Sequence, residues 1–279
     1  MSIQTKASFK KEILAFFRTK KFLIIAIVII GWSILSPLLM VGMGGLINAM
    51  SPIYDEMGLD VSTMTNMLGS SANTGVSSAV TDLAGTCLIV FILLINSFAG
   101  GEQKKRSTII PKSSGLRTFS YIFPKFIVYP LTAMVLAIAG AFASWGVSAI
   151  AYEVNDVSPE GVLIGGVLAG VCLMFYTCCH LTIGTATGKA GVSAAICIVA
   201  ALLLPSIFSG LGSEYVYNPF TLNILAGSVV AEGALYRILP LDIVMTVLIA
   251  FAIMVILYFI AIFAQNAKKV DNTGNEIRL

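Results

Sequence analysis

The chain is expected to be an all-α integral membrane protein: six transmembrane helices, an N-terminal interfacial helix, and a partly inserted hairpin before the last span. Three features lead there. Hydrophobic residues make up 57% of the 279 and charged residues 11%, with a mean hydropathy of +0.93, whereas roughly a quarter of a soluble domain carries charge. Apolar runs of about 20 residues, long enough to cross the hydrocarbon core of a bilayer, recur along the chain. The cations cluster in segments that fall on one side of such a bundle and the acids in segments on the other. Residues 1–279 therefore read as a single transmembrane domain.

Residues 5–21, TKASFKKEILAFFRTKK, form the interfacial helix. Phe9, Ile13, Phe16 and Phe17 recur at the spacing of one helical face, and Lys10, Lys11, Arg18 and Lys21 fall away from it. Such a helix lies in the headgroup plane with its rings in the acyl boundary. The uncharged run Phe22–Ile47 is the first span, with a kink expected at Pro37. It is too long for a signal peptide, and Asn48-Ala49-Met50 is not a small-x-small cleavage site, so it is read as a retained anchor. Residues 51–82 are polar and carry Asp55, Glu56, Asp60 and Asp82 without a Lys or Arg. Within them Met57, Val61, Met64 and Leu68 predict one short amphipathic helix. Leu83–Gly101 is the second span, with Asn96 its one strongly polar interior residue.

Phe126–Tyr152 is the third span, with Pro130 inside it. An acidic turn with Glu153, Asp156, Ser158, Pro159 and Glu160 leads to the fourth, Gly161–Gly188. That span opens on Gly161 with Gly165 and Gly166 with Gly170, a spacing that lets helix backbones approach closely in lipid. Lys189 marks a short turn before the fifth span, Ala190–Gly210. Residues 211–241 contain the turn signal Asn218-Pro219 and an apolar stretch broken by Glu232 and two glycines. They are read as a re-entrant hairpin in the outer leaflet. Ile243–Gln265 is the sixth span, and the polar tail from Asn266 is expected to lack fixed structure.

Residues 101–125 form the one long basic segment between apolar runs. Lys104, Lys105, Arg106, Lys112, Arg117 and Lys125 are its cations and Glu102 its acid. With both termini in the cytoplasm, every Lys and Arg except Arg237 lies inside, while Asp55, Glu56, Asp60, Asp82, Glu153, Asp156, Glu160, Glu214, Glu232 and Asp242 lie outside. This orientation is the expected one, in the inner or plasma membrane of a cell. The cations sit beside spans without interleaved aromatic readers, so no nucleic-acid partner is expected.

Catalytic and cofactor chemistry is sparse. The run Gly184-Thr185-Ala186-Thr187-Gly188-Lys189-Ala190 has three residues between its glycines and Ala after Lys, where a phosphate loop has four and then Ser or Thr. It reads as a helix end. His180 follows Cys178 and Cys179 directly; on a helix these point apart, so no metal centre is expected. Five cysteines, all in apolar runs, do not suggest a disulfide framework. No nucleophile has a recognisable base partner, so no catalytic residue is assigned. Asn96, Thr177 and His180 are polar groups inside spans: they serve as interhelical hydrogen bonds or line a translocation path.

An interfacial helix before six spans, a basic loop after the second and a hairpin before the sixth resemble the type-2 ATP-binding-cassette exporter permeases. That family follows its second span with an acid, Gly-Thr, an apolar stretch, Pro, Arg, and a Lys opening the third span. Here Glu102, Thr108, Ile109-Ile110, Arg117 and Lys125 keep that order, while Ser107 replaces the Gly and Pro111 comes early. The resemblance implies a permease that is not itself an enzyme, moving an amphipathic peptide or lipophilic small molecule outward. It implies a coupling helix in the loop, docked on a separate ATPase subunit present in two copies that binds ATP and Mg, and a second permease, identical or homologous. Glu102, Arg106, Thr108 and Arg117 are the expected coupling residues. The alternatives are an ATP-independent secondary transporter or channel, which predicts charges buried along the spans, a membrane-bound enzyme, and a non-transporting immunity or scaffold protein.

Overall fold

A computed structural model describes residues 3–56, 71–101, 115–152, 157–211, 217–231, 240–270 and 276–278. The fold is all-α, with six helical segments among the described residues long and apolar enough to cross a membrane, and is that of a multi-pass membrane protein. In chain order the elements are α1 (Ile3–Arg18), α2 (Lys21–Ala49), α3 (Ser51–Glu56), α4 (Ala72–Ala84), α5 (Thr86–Asn96), a π-helical turn (Ser97–Gly101), α6 (Thr118–Ala151), α7 (Pro159–Thr187), α8 (Ala190–Gly210), a 3₁₀ turn (Pro219–Thr221), α9 (Leu222–Ala231) and α10 (Pro240–Asn266).

Helix α7 is the centre of the bundle and packs against α4, α6, α8, α9 and α10. Its glycines make this possible, and the two overlapping pairs serve different neighbours. A Cβ on Gly165 would sit 2.9 Å from the Ala226 carbonyl oxygen of α9, and one on Gly166 2.9 Å from Ala141 Cβ of α6. Gly161 faces Val229 of α9 and Gly170 faces Met134 of α6. Without a hydrophobic driving force between helices in lipid, such close backbone packing is what holds spans together. Helices α2, α8 and α10 lie at the rim and present apolar side chains such as Leu39, Leu203 and Phe259 outward.

Two span boundaries move relative to expectation. The second span begins at Ala72, eleven residues before Leu83, and is built from α4, α5 and the π-helical turn. Its polar composition conceals a buried stripe of Ala72, Gly75, Val76, Ala79, Val80 and Leu83 at helical spacing. Its hydroxyls are satisfied locally: Thr81 Oγ1 donates to the Ser77 carbonyl (3.0 Å), and Ser77 Oγ to Gly227 of α9 (2.8 Å). Asp82 therefore lies within a span and not in an outer loop. The third span begins at Thr118, so the last part of the expected 101–125 loop is helix, Lys125 included.

Ser158 caps α7, accepting from the Gly161 N–H at 3.1 Å, with Pro159 in the first turn. At the other end Gly188 adopts φ +69° and donates to the Gly184 carbonyl at 2.9 Å. The glycine-rich run is thus a left-handed helix cap. Between residues 211 and 241 the described arm is the 3₁₀ turn and α9, which packs between α4 and α7 through Leu222, Leu225, Ala226, Val229 and Val230. The helix expected around Met57–Leu68 lies outside the described residues. The tail is not wholly unstructured: Lys268–Val270 pairs antiparallel with Glu276–Arg278, because alternating backbone groups close a short ladder.

Gly184 also faces the π-helical turn, where an added Cβ would lie 2.7 Å from the Ala99 carbonyl oxygen. Gly184→Val is expected to cost about 1–3 kcal/mol by overpacking, lowering the thermal midpoint of the detergent-solubilised chain. Gly191→Ala, with nothing within 4 Å of the new Cβ, is expected to stay within about 0.5 kcal/mol of the parent.

Candidate functional site at the root of the basic loop

The segments that lead into and out of residues 102–114 converge on a buried polar cluster. Helix α1 docks on the first turns of α6. Thr5 Oγ1 and Ser120 Oγ are 3.1 Å apart, Phe9 meets Phe123 edge-on at 5.8 Å, and Phe16 meets Tyr129 at 5.4 Å. The buried stripe of α1 is Thr5, Glu12 and Phe16, with Phe9 half-buried beside it; Ile13, Leu14 and Phe17 are exposed. The expected four-residue apolar face therefore splits. Phe9 and Phe16 turn inward, while Ile13 and Phe17 turn outward, because α6 offers partners to Glu12.

Those partners share one face of α6: Tyr121, Lys125 and Tyr129 recur every four residues. The Tyr129 hydroxyl donates to Glu12 Oε2 at 2.6 Å. Lys125 Nζ lies 4.0 Å from Glu12 Oε1 and donates to the Phe98 carbonyl (3.0 Å) and to the Tyr121 hydroxyl (3.1 Å). The Lys125 and Glu12 side chains are only 6% and 2% exposed. From α2, Lys21 Nζ donates to the Leu94 carbonyl (2.9 Å) and to Ser97 Oγ, and sits 4.5 Å over the Phe98 ring. Two ammonium groups thus hold carbonyls on either side of the start of the π-helical turn. On its other side the turn meets α7, where a Cβ on Gly100 would stand 2.8 Å from the Gly184 carbonyl oxygen. The end of the second span is gripped by α1, α2, α6 and α7 together.

Neither Glu12 nor the inward role of Lys125 is among the expected site residues. The signal was present: Thr5, Phe9, Glu12 and Phe16 continue one helical stripe, and Lys125 stands midway between two tyrosines. Of the expected coupling residues, Glu102, Arg106 and Thr108 lie outside the described residues. Arg117 is exposed at the N-cap position of α6, with an extended backbone and no side-chain capping bond.

Asn96, Thr177 and His180 are placed as follows. His180 is fully buried between α7 and α8. Ser193 Oγ donates to the His180 carbonyl (2.6 Å), which leaves the Nδ1–H to donate to Ser193 Oγ (2.8 Å), with Nε2 unpartnered among the described residues. Thr177, one turn earlier, is also fully buried, and its hydroxyl has no described partner. Asn96, on α5, is half-buried. Among the described residues, Thr177 and His180 have no surface open to solvent. A further polar site is Asp82, whose Oδ2 accepts from Trp32 Nε1 of α2 at 3.0 Å. Comparison with known proteins finds no matching family model, curated protein or solved structure.

Removing one member of a buried ion pair costs about 3–5 kcal/mol where the other is left uncompensated; Lys125→Met still leaves Glu12 the half-exposed Lys11 at 3.6 Å and the Tyr129 hydroxyl. Glu12→Gln and Lys125→Met are each expected to lower unfolding stability by an amount at the lower end of that range. The double variant should lose less than their sum by about 1 kcal/mol or more, as read by a double-mutant cycle in a denaturant titration of the micelle-bound chain. Strict additivity would show that the two groups are not coupled.

Proposed function

We propose that the chain is the membrane-spanning permease of an ATP-driven exporter, powered by a separate ATP-binding-cassette ATPase that docks on the basic loop. The observation that carries this reading is the cluster of Glu12, Lys125, Tyr129 and Lys21. A loop that receives mechanical work needs a stiff root, and this one is tied to an amphipathic helix and three spans. The absence of a phosphate loop from the sequence fits an energy source outside the chain. In the proposed assembly two permeases pair around a central path, two ATPase subunits bind ATP and Mg, and both termini are cytoplasmic. Closure of the ATPase pair pushes on residues 101–125. Glu102, Arg106, Thr108 and Arg117 carry the coupling: Glu102 tethers the loop, and Arg106 and Arg117 pair with acids on the ATPase. The cargo is an amphipathic peptide or lipophilic small molecule.

One observation favours a second reading. An ion-driven secondary transporter requires an ionisable group within its spans, and Asp82 is such a group. Energy source separates the two: vanadate stops export in the first case, and a protonophore with ATP maintained stops it in the second.

A neighbouring open reading frame is expected to encode a Walker-containing ATPase, and co-expression with it to yield a stable complex whose ATP turnover rises on assembly. Arg117→Glu is expected to leave the chain folded and ATP hydrolysis measurable while export falls at least about tenfold, the size of a lost charge-assisted contact of ~1.4 kcal/mol. Export unchanged in that variant removes Arg117 from the coupling set.

A further inference from the structure

Among the described residues, Asp82 is the one acid placed well inside a span. It stands ten residues from the start of Ala72–Gly100, about 15 Å along the helix axis. Its partner Trp32 stands eleven residues from the start of the oppositely running Lys21–Ile47, about 17 Å along that axis. Both positions therefore lie inside helices long enough to cross a bilayer core roughly 30 Å thick. Both side chains are half-buried, and Thr86, at the first turn of α5, is exposed. Among the described residues no Lys or Arg pairs with Asp82; the Trp32 indole supplies its hydrogen bond.

A half-open carboxylate within a span is incompatible with a lipid-facing surface, because charge in hydrocarbon is costly and ionisable groups in spans face cavities or partners. The ligand class follows from the donors at hand. A metal ion needs several converging oxygens, and an indole N–H cannot ligate one. A carboxylate beside an indole ring instead suits an organic cation with an apolar body, drawn by charge and by the ring face. We infer that the α2 and α4–α5 face carrying Trp32, Asp82 and Thr86 lines a water-accessible path, and that Asp82 and Trp32 form a subsite for the cationic group of a lipophilic cargo. This rests on the transport reading above and is independent of its energy source.

The test uses thiol chemistry on the full chain in membranes without nucleotide. All five native cysteines are free thiols, and all but half-buried Cys179 are buried, so the parent chain sets the background. Thr86→Cys is exposed to a cationic trimethylammonium-ethyl and an anionic sulfonatoethyl methanethiosulfonate, neither of which enters lipid. The cationic reagent is expected to react faster by about tenfold after correction for intrinsic reactivity, as in a cleft that concentrates one sign of charge. D82N should abolish that preference and D82E should keep it. Phe259→Cys, on the outer face of α10, should react with neither. Tetraphenylphosphonium is expected to protect Thr86→Cys when Asp82 is present and not in D82N, and the isosteric anion tetraphenylborate to protect in neither. An inert Thr86→Cys, a preference that survives D82N, or failure of tetraphenylphosphonium to protect would each overturn the inference. Failure of an ATPase to co-purify would leave these readouts unchanged and bear only on the energy source.

Discussion

The bundle depends on how carbonyl groups are satisfied where the second span stops being α-helical. A π turn disrupts the i→i−4 ladder, and in a water-poor interior every freed backbone group needs a partner within the protein. At Ser97–Gly101 two lysines meet that need, Lys21 on the Leu94 carbonyl and Lys125 on the Phe98 carbonyl. An ammonium buried for this purpose needs a counter-charge, and Glu12 supplies it from α1. The interfacial helix is thereby more than a float on the membrane surface. It is tied by an ion pair, a tyrosine hydroxyl and three aromatic contacts to the place where the chain leaves the second span.

The same span carries a second interruption. Gly85, with φ −106° and ψ −88°, separates α4 from α5. Between this break and the π turn, α5 is an eleven-residue rod buried through Cys87, Leu88, Phe91, Ile92 and Ile95. One end of the rod meets the lysine-held root, and the other begins beside Asp82. Elements that change position in transporters are commonly helices with such interruptions, because the breaks absorb dihedral change while the rod stays packed. A displacement at the root would reach Asp82 through α5 as a rigid lever, with the glycine contacts between α7 and its neighbours holding the surrounding frame.

Much of this was legible from composition and period. The six spans, the glycine pairs of α7 and the helix end at Gly188 follow from local chemistry that lipid does not override, whereas Ser158 and Pro159, which read as part of an acidic turn, cap and open α7. What was hidden shares one cause: side chains that read as polar or charged are satisfied internally. Residues 72–82 look like a loop because Ser, Thr and Asp outnumber large hydrophobes, but Ser77 and Thr81 bond to carbonyls and small residues pack against α9. Glu12 and Lys125 look like surface charges because the attraction between them depends on two helices far apart in sequence. The protein-facing side of α1 is only partly legible for the same reason, since hydrophobic period alone ranks Ile13 above Glu12.

That shared cause bears on the proposed orientation. The charge asymmetry includes Lys21 and Lys125 as inner-surface cations and Asp82 as an outer acid, although all three are engaged by groups on neighbouring helices. Charges engaged within the protein contribute little to the lipid-facing and translocation energetics behind the positive-inside rule. Setting the three aside leaves the asymmetry in place. Lys6, Lys10, Lys11, Arg18 and Lys20 stand before the first span, the remaining loop cations after the second, Lys189 after the fourth, and Lys268, Lys269 and Arg278 after the sixth. In the proposed orientation the side that holds the lysine-clamped root is also the side of these remaining cations. A cytoplasmic ATPase would need its docking loop on that side.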